Sequence, residues 1–131
     1  MKLYRIREHL VYVCLFATLF LPSAASTDDA LLPTINHLLT YVEESNCVFI
    51  RNGKEYNSKD AAKHIKRKYD SLMFDIKTPE EFIELAASKS TLNGQPYFVR
   101  CVDHSPEPSA DWLRKELSNY RMTSHDSLLI K

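Results

Sequence analysis

The segment Cys47-Val48-Phe49-Ile50-Arg51 is dense in β-branched and aromatic side chains and runs straight into Asn52-Gly53. Asparagine followed by glycine is the commonest pair for a type I′ hairpin turn, because both central positions need positive φ. The pair therefore predicts a strand, a tight turn and a short return strand over residues 54–56. A second run of the same character, Tyr97-Phe98-Val99-Arg100-Cys101-Val102, follows another turn at Asn93-Gly94. Pro96 has no amide hydrogen to offer a neighbouring strand, so it belongs at the strand's start or on an edge. If the two runs lie side by side and antiparallel, Cys47 faces Cys101, Phe49 faces Val99 and Arg51 faces Tyr97, all on one face. Val48, Ile50, Phe98 and Val102 share the other face. The Val48 and Ile50 face is expected to pack on helices, leaving the Arg51 face partly open with its guanidinium near the Tyr97 ring.

Helical periodicity surrounds these strands. Leu31, Ile35, Leu38, Leu39 and Val42 recur at helical spacing, and Pro33 fits best in a first turn, so a helix is expected from Leu32 or Pro33 to about Glu44–Asn46. Ser58 is placed to cap a second helix over residues 59–72, with Ala61, Ala62, Ile65, Tyr69 and Leu72 as its buried stripe. Thr78-Pro79-Glu80-Glu81 combines an N-cap hydroxyl, proline at N1 and glutamate at N3, a capping box that starts a third helix through Phe82, Ile83, Ala86 and Ala87. Residues 103–108 read as a loop. Ser109 is placed to cap a fourth helix carrying Trp112, Leu113, Leu117 and Tyr120, and residues 122–131 read as a loose tail. The expected fold class is α+β, a small antiparallel sheet of a hairpin plus one strand packed with about four helices.

Ahead of this domain, Lys2, Arg5 and Arg7 precede an apolar stretch over residues 10–21, and Pro22 leads into the small residues Ser23, Ala24, Ala25 and Ser26. This is the three-part layout of a cleaved signal peptide. The apolar stretch reaches roughly 18 Å as a helix, against a hydrocarbon core of about 30 Å, too short to span comfortably. The cut is expected after Ala25, so residues 1–25 form the signal, residues 26–131 form one domain, and no transmembrane anchor remains after cleavage. The bond after Ser26 is the second choice of cut, and an uncleaved anchor is the alternative to cleavage. The whole chain has 17 basic and 17 acidic residues, and removal of Lys2, Arg5, Arg7 and Glu8 leaves 14 and 16. A balance so near neutral lacks the electrostatic footprint of a dedicated nucleic-acid binder.

Export leaves Cys47 and Cys101 in a compartment where thiols are usually oxidised, and one disulfide between them is the economical reading. A reactive Cys101 with His104 as its base is the alternative.

From residue 45 to 121 the chain resembles the YfeK-like family of small bacterial periplasmic proteins, whose function is unknown. The resemblance rests on Phe49-Ile50-Arg51-Asn52-Gly53, Ala61 with His64 and Lys68, Glu81-Phe82-Ile83, Ala87-Ser88 with Ser90, Gly94 with Pro96-Tyr97, and Trp112-Leu113. It implies a periplasmic address. In the family pattern the cysteine pair varies and a serine is usual where this chain has Asn93, which implies that the disulfide stabilises the fold and is not a shared activity.

The candidate site combines Arg51 at the end of the first strand, His64 and Lys68 one helical turn apart, and Ser88, Ser90 and Tyr97 around the second turn. Such a set offers cations and hydroxyl donors for a carboxylate or phosphate. The competing structural reading is that His64 and Arg51 satisfy buried carbonyls and the serines end the third helix. Lys59, Lys63, Lys66 and Arg67 fall opposite the apolar stripe, as a solvated face or an anionic-surface contact. His37, His104 and His125 are scattered without metal-site spacing, so no metal is expected, and no cofactor motif is present. No Gly-x-Ser-x-Gly occurs, and Ser88-Lys89-Ser90 lacks Ser-x-x-Lys spacing. The expectation is a periplasmic, non-enzymatic binding or accessory module for an anionic small molecule, peptide or glycan. The alternative is a small cell-envelope hydrolase using His64 with Ser88 or Ser90.

Overall fold

The computed structural model describes residues 27–130, so the expected signal peptide and its cut lie outside the described residues. The chain runs α1 (Thr27–Glu44), β1 (Val48–Arg51), β2 (Lys54–Asn57), α2 (Ser58–Leu72) and α3 (Pro79–Phe82), which continues as a π-helical turn (Ile83–Ala87). Then come β3 (Phe98–Arg100), β4 (Glu107–Pro108) and α4 (Ser109–Leu129). One antiparallel sheet of order β2-β1-β3-β4 packs with the helices, an α+β arrangement. No described helix is long and apolar enough to cross a membrane.

The hairpin forms where the sequence requires it. Asn52 and Gly53 both take positive φ, 51° and 74°, and the turn sets Arg51 opposite Lys54 and Phe49 opposite Tyr56. β3 lies on the other flank of β1 in the expected register, with Val48 opposite Arg100, Phe49 opposite Val99 and Ile50 opposite Phe98. The same register brings Cys47 and Cys101 together at the sheet's end, where they form a disulfide with Cα atoms 4.3 Å apart.

The two faces of the sheet are the reverse of the expectation. Cys47, Phe49, Val99 and Tyr97 are at most 7% exposed and point into the core, whereas Val48, Ile50 and Phe98 are half-buried on the outer face. The aromatic block beneath β1 explains the choice. The Phe49 ring meets Trp112 of α4 edge-on at 5.7 Å, and Trp112 stacks on Tyr41 of α1 at 4.5 Å. Ile35, Leu38 and Val42 from α1, Ile65 from α2, Phe82 and Ile83 from α3 and its π-helical continuation, Leu113 and Leu117 from α4, and Ile76 ahead of α3 form the rest of the large-side-chain core.

Several boundaries differ for identifiable reasons. α1 begins well before Pro33, which lies inside the helix, and Thr34 Oγ1 donates to the Ala30 carbonyl at 2.7 Å in the same turn. Asn57, not Ser58, caps α2, its side chain accepting from the Asp60 amide at 2.9 Å, while Ser58 is buried as the first helical residue. The capping box at Thr78 forms with both halves present, as the sequence predicts. Ser109 does not cap α4. Its hydroxyl donates to the Ala87 carbonyl at 2.7 Å and its amide to the Tyr97 carbonyl at 2.9 Å, tying the π-helical turn, β3 and α4 at one point. Within the segment expected as a loop, β4 pairs with β3 through Phe98–Pro108 and Val99–Glu107. The expected loose tail is helical to Leu129, which puts His125 and Asp126 in α4 and not in a loop.

Candidate functional site

Side chains alternate along a strand, so the inner face that starts at Cys47 and Phe49 also carries Arg51. Across the hairpin the same face carries Tyr56 and Lys54, and across β1 it carries Tyr97. Near the disulfide this face is covered by α1 and α4. Towards the hairpin turn the cover ends, and the inner face opens into a cleft of about 350 Å³ bounded by the turn, α2 and residues 90–92. Arg51 thus sits on the core-facing side of the sheet, at the point where that side emerges into solvent.

Arg51, His64, Lys68, Ser90 and Tyr97 all line the cleft, joined by Lys54, Tyr56, Thr91 and Leu92. Among the described residues no carboxylate lines it. The Arg51 guanidinium lies 4.2 Å from the centroid of the Tyr56 ring, so its aromatic partner is Tyr56 and not the expected Tyr97. The Tyr97 ring is faced instead by the Lys68 ammonium at 5.3 Å. Lys68 also donates to the Lys89 carbonyl at 2.7 Å, which fixes its head and leaves two of its three N–H donors free for other partners. His64 Nε2 lies 3.3 Å from the Tyr97 hydroxyl, with the two rings edge to face at 6.0 Å.

Electrostatics follow from this clustering. Burial, then the Arg51, Lys68 and Arg67 charges, pull the His64 pKa down to about 4, so the imidazole is neutral near pH 7. Burial lowers the Lys68 pKa as well, reinforced by Arg51 and Lys89. Burial raises the Tyr97 phenol, against the opposing pull of Arg51 and Ser90.

Ser88 stands apart. It is buried, its hydroxyl donates to the Glu84 carbonyl across the π-helical turn, and its carbonyl accepts the Tyr97 amide at 2.8 Å. It positions Tyr97 through the backbone and does not line the cleft. Ser90 Oγ accepts from the Leu92 amide at 3.3 Å and shapes the loop that walls the cleft. Neither serine hydroxyl bonds to His64, and no carboxylate does among the described residues. Cys101 is tied up in the disulfide, and His104 turns Nδ1 to the Val102 carbonyl at 2.8 Å. His37 bonds Glu116 at 2.6 Å and stacks on Tyr120 at 4.0 Å, away from the cleft. Among the described residues no three His, Cys, Asp or Glu side chains converge as a metal site.

Sequence reasoning missed Lys54 and Tyr56, although a two-residue turn at Asn52-Gly53 fixes both opposite Arg51 and Phe49. Thr91 and Leu92 carry no such signal, because their place depends on how the loop folds back through the Gly94 amide to the Ser90 carbonyl. A larger open groove of about 570 Å³ between the start of α1 and the end of α4 has Arg121 as its only Lys or Arg among the described residues, and that side chain is engaged by Glu80.

A model of a family of unknown function (DUF5329) matches residues 30–121, a span that holds the whole cleft. The uncharacterized protein YfeK of Salmonella typhimurium is 32% identical over 80 residues, 60% of this chain and 67% of that protein. No solved structure matches the chain. With the family pattern running from α1 through most of α4, the chain belongs to the family of unknown function DUF5329.

Proposed function

We propose that this protein is an exported, periplasmic binding module, without catalytic activity of its own, that holds an anionic group in the cleft between the hairpin turn and α2. One observation carries the reading. Arg51, Lys54 and Lys68 line a cleft with no carboxylate among the described residues, in a chain whose charges balance as a whole. Arg51 and Lys54 are directly opposed across the hairpin, an arrangement of like charges that destabilises a bare sheet. Among the described residues neither has an acidic partner, whereas Arg100, Lys115 and Arg121 hold Glu55, Glu107 and Glu80. Charges held together at a cost, with no neutralising partner, favour an external anion.

The geometry around His64 favours binding over hydrolysis. Its partner is a phenol and not a serine, and a histidine surrounded by three cations is a poor acceptor of a proton in a catalytic step. The test is titration calorimetry of the protein with simple carboxylates and phosphates, beside an Arg51→Ala variant. Binding weakened at least tenfold in the variant, with thermal stability little changed, is the expected result. Absence of anion binding by the unaltered protein would refute the reading. The export half is tested separately by the intact mass of the protein recovered from the periplasm, which is expected to lack residues 1–25.

A further inference from the structure

We infer that the anion the cleft accepts is a dianionic phosphoryl group, a phosphate monoester, and not a carboxylate; the inference rests on the anion-binding reading above. Three cations line the cleft, and a planar monocarboxylate gripped by the Arg51 fork would leave the charges of Lys54 and Lys68 uncompensated. A monoester carries about −1.5 to −2 charges at neutral pH and three acceptor oxygens arranged in a cone. That matches donors arriving from three directions. Arg51 comes from the end of β1, held in place on the Tyr56 ring. Lys54 comes from the facing end of β2. Lys68 comes from α2, anchored by the Lys89 carbonyl with N–H donors to spare. The Tyr97 hydroxyl and the neutral His64 ring, 3.3 Å apart, supply uncharged hydrogen bonding between them.

The rim describes the rest of the molecule that bears the phosphate. Leu92 is 95% exposed on the wall of this same cleft, an apolar side chain standing in water beside three cations. A phosphate attached to an organic body would cover it, whereas inorganic phosphate would not. The cleft volume of about 350 Å³ is several times what a bare phosphate fills, and lies at the small end of ligand pockets.

The experiment titrates the full chain with sn-glycerol 3-phosphate, inorganic phosphate, sulfate, acetate and succinate. In a parallel arm it measures co-sedimentation with phosphatidylcholine vesicles with and without phosphatidic acid, whose headgroup is also a monoester. Glycerol phosphate or phosphatidic acid is expected to bind at least tenfold more tightly than either carboxylate. Arg51→Ala and, separately, Lys54→Gln on the exposed turn should each weaken that binding by about tenfold, in line with loss of one charge-assisted hydrogen bond. Binding confined to vesicles assigns the phosphoryl group to a lipid, and binding in solution assigns it to a soluble ester; both support the inference. Succinate binding as tightly as the phosphate esters overturns the phosphoryl assignment while leaving the anion cleft standing. No binding of any anion overturns both.

Discussion

Reduction of the Cys47–Cys101 bridge is the perturbation whose size the structure sets most directly. The two residues are 54 apart in sequence, and the bridge staples the ends of β1 and β3, the central pair of the sheet. Confining a loop of that length in the unfolded chain removes about 14 cal/mol/K of entropy, or about 4 kcal/mol at room temperature. A domain of this size has roughly 5–15 kcal/mol of stability in all, so the bridge holds a large share of it. The fold itself does not depend on the bridge for its register, because the ladder from Val48–Arg100 to Ile50–Phe98 and the Phe49–Trp112 contact are noncovalent. Urea unfolding with and without a thiol-free reductant, followed by the fluorescence of the sole tryptophan, reads the effect where it matters. Trp112 is 8% exposed and sits directly beneath β1. The expected outcome is a midpoint shift equivalent to a loss of about 3–4 kcal/mol, with a cooperative transition retained and a somewhat larger m-value from a more expanded unfolded chain. A loss below about 1 kcal/mol would refute the loop-entropy reasoning for this protein.

Three further outcomes are expected. Ser109→Ala strips the buried Ala87 carbonyl of its hydroxyl donor and should destabilise the domain by about 1–3 kcal/mol in the same urea assay, with a change under about 0.5 kcal/mol as the contrary result. His64 has a folded pKa lowered to about 4 from 6.5, so the unfolded chain binds its proton first. The resulting penalty on the folded state is absent above pH 6.5 and grows as pH falls towards 4; screening at this half-exposed ring reduces the full shift to roughly 1–2 kcal/mol. Acidification through that window should therefore lower the urea midpoint of the unaltered protein more than that of His64→Gln, and parallel curves would contradict it. Arg51→Ala should leave the urea midpoint within about 1 kcal/mol, because it severs one partly exposed cation–π contact and no ion pair. Unfolding of that variant would instead make Arg51 structural.

Much of the fold was legible because its signals are local. Asn52-Gly53 determines the hairpin, Thr78-Pro79-Glu80-Glu81 the start of α3, and the shared register of two β-rich runs brings the cysteines together. Parity also grouped the right residues on each face, yet it cannot say which face is inside when both are apolar. Arg51 was misleading there. A charged residue on a strand usually marks the wet side, but here the inner face outruns its helical cover and the charge lies just past the edge. The π-helical turn has no sequence signature, since it depends on Ser88, Tyr97 and Ser109 closing around it. β4 escaped notice because two residues ending in proline do not form a periodic pattern. Asn57 and Ser58 are both competent caps, and burial of Ser58 decides between them. The cleft was half visible for the same reason: positions fixed by helical or strand spacing could be read, and those fixed by a loop's return could not.

The margins of the sheet bear on how anything can be recognised. One edge is β4, only two residues long and closed by Pro108, which has no amide hydrogen to give. The other is β2, whose exposed Lys54 and Glu55 discourage edge-to-edge pairing and whose last residue passes directly into α2. Capture of an extended peptide as a fifth strand is therefore disfavoured at both ends. Selectivity must come from side-chain chemistry, so a ligand is chosen by its charge and shape and not by the backbone that carries it. Infrared amide bands should show no gain in strand content when the protein is saturated with its ligand, and a clear gain would contradict this.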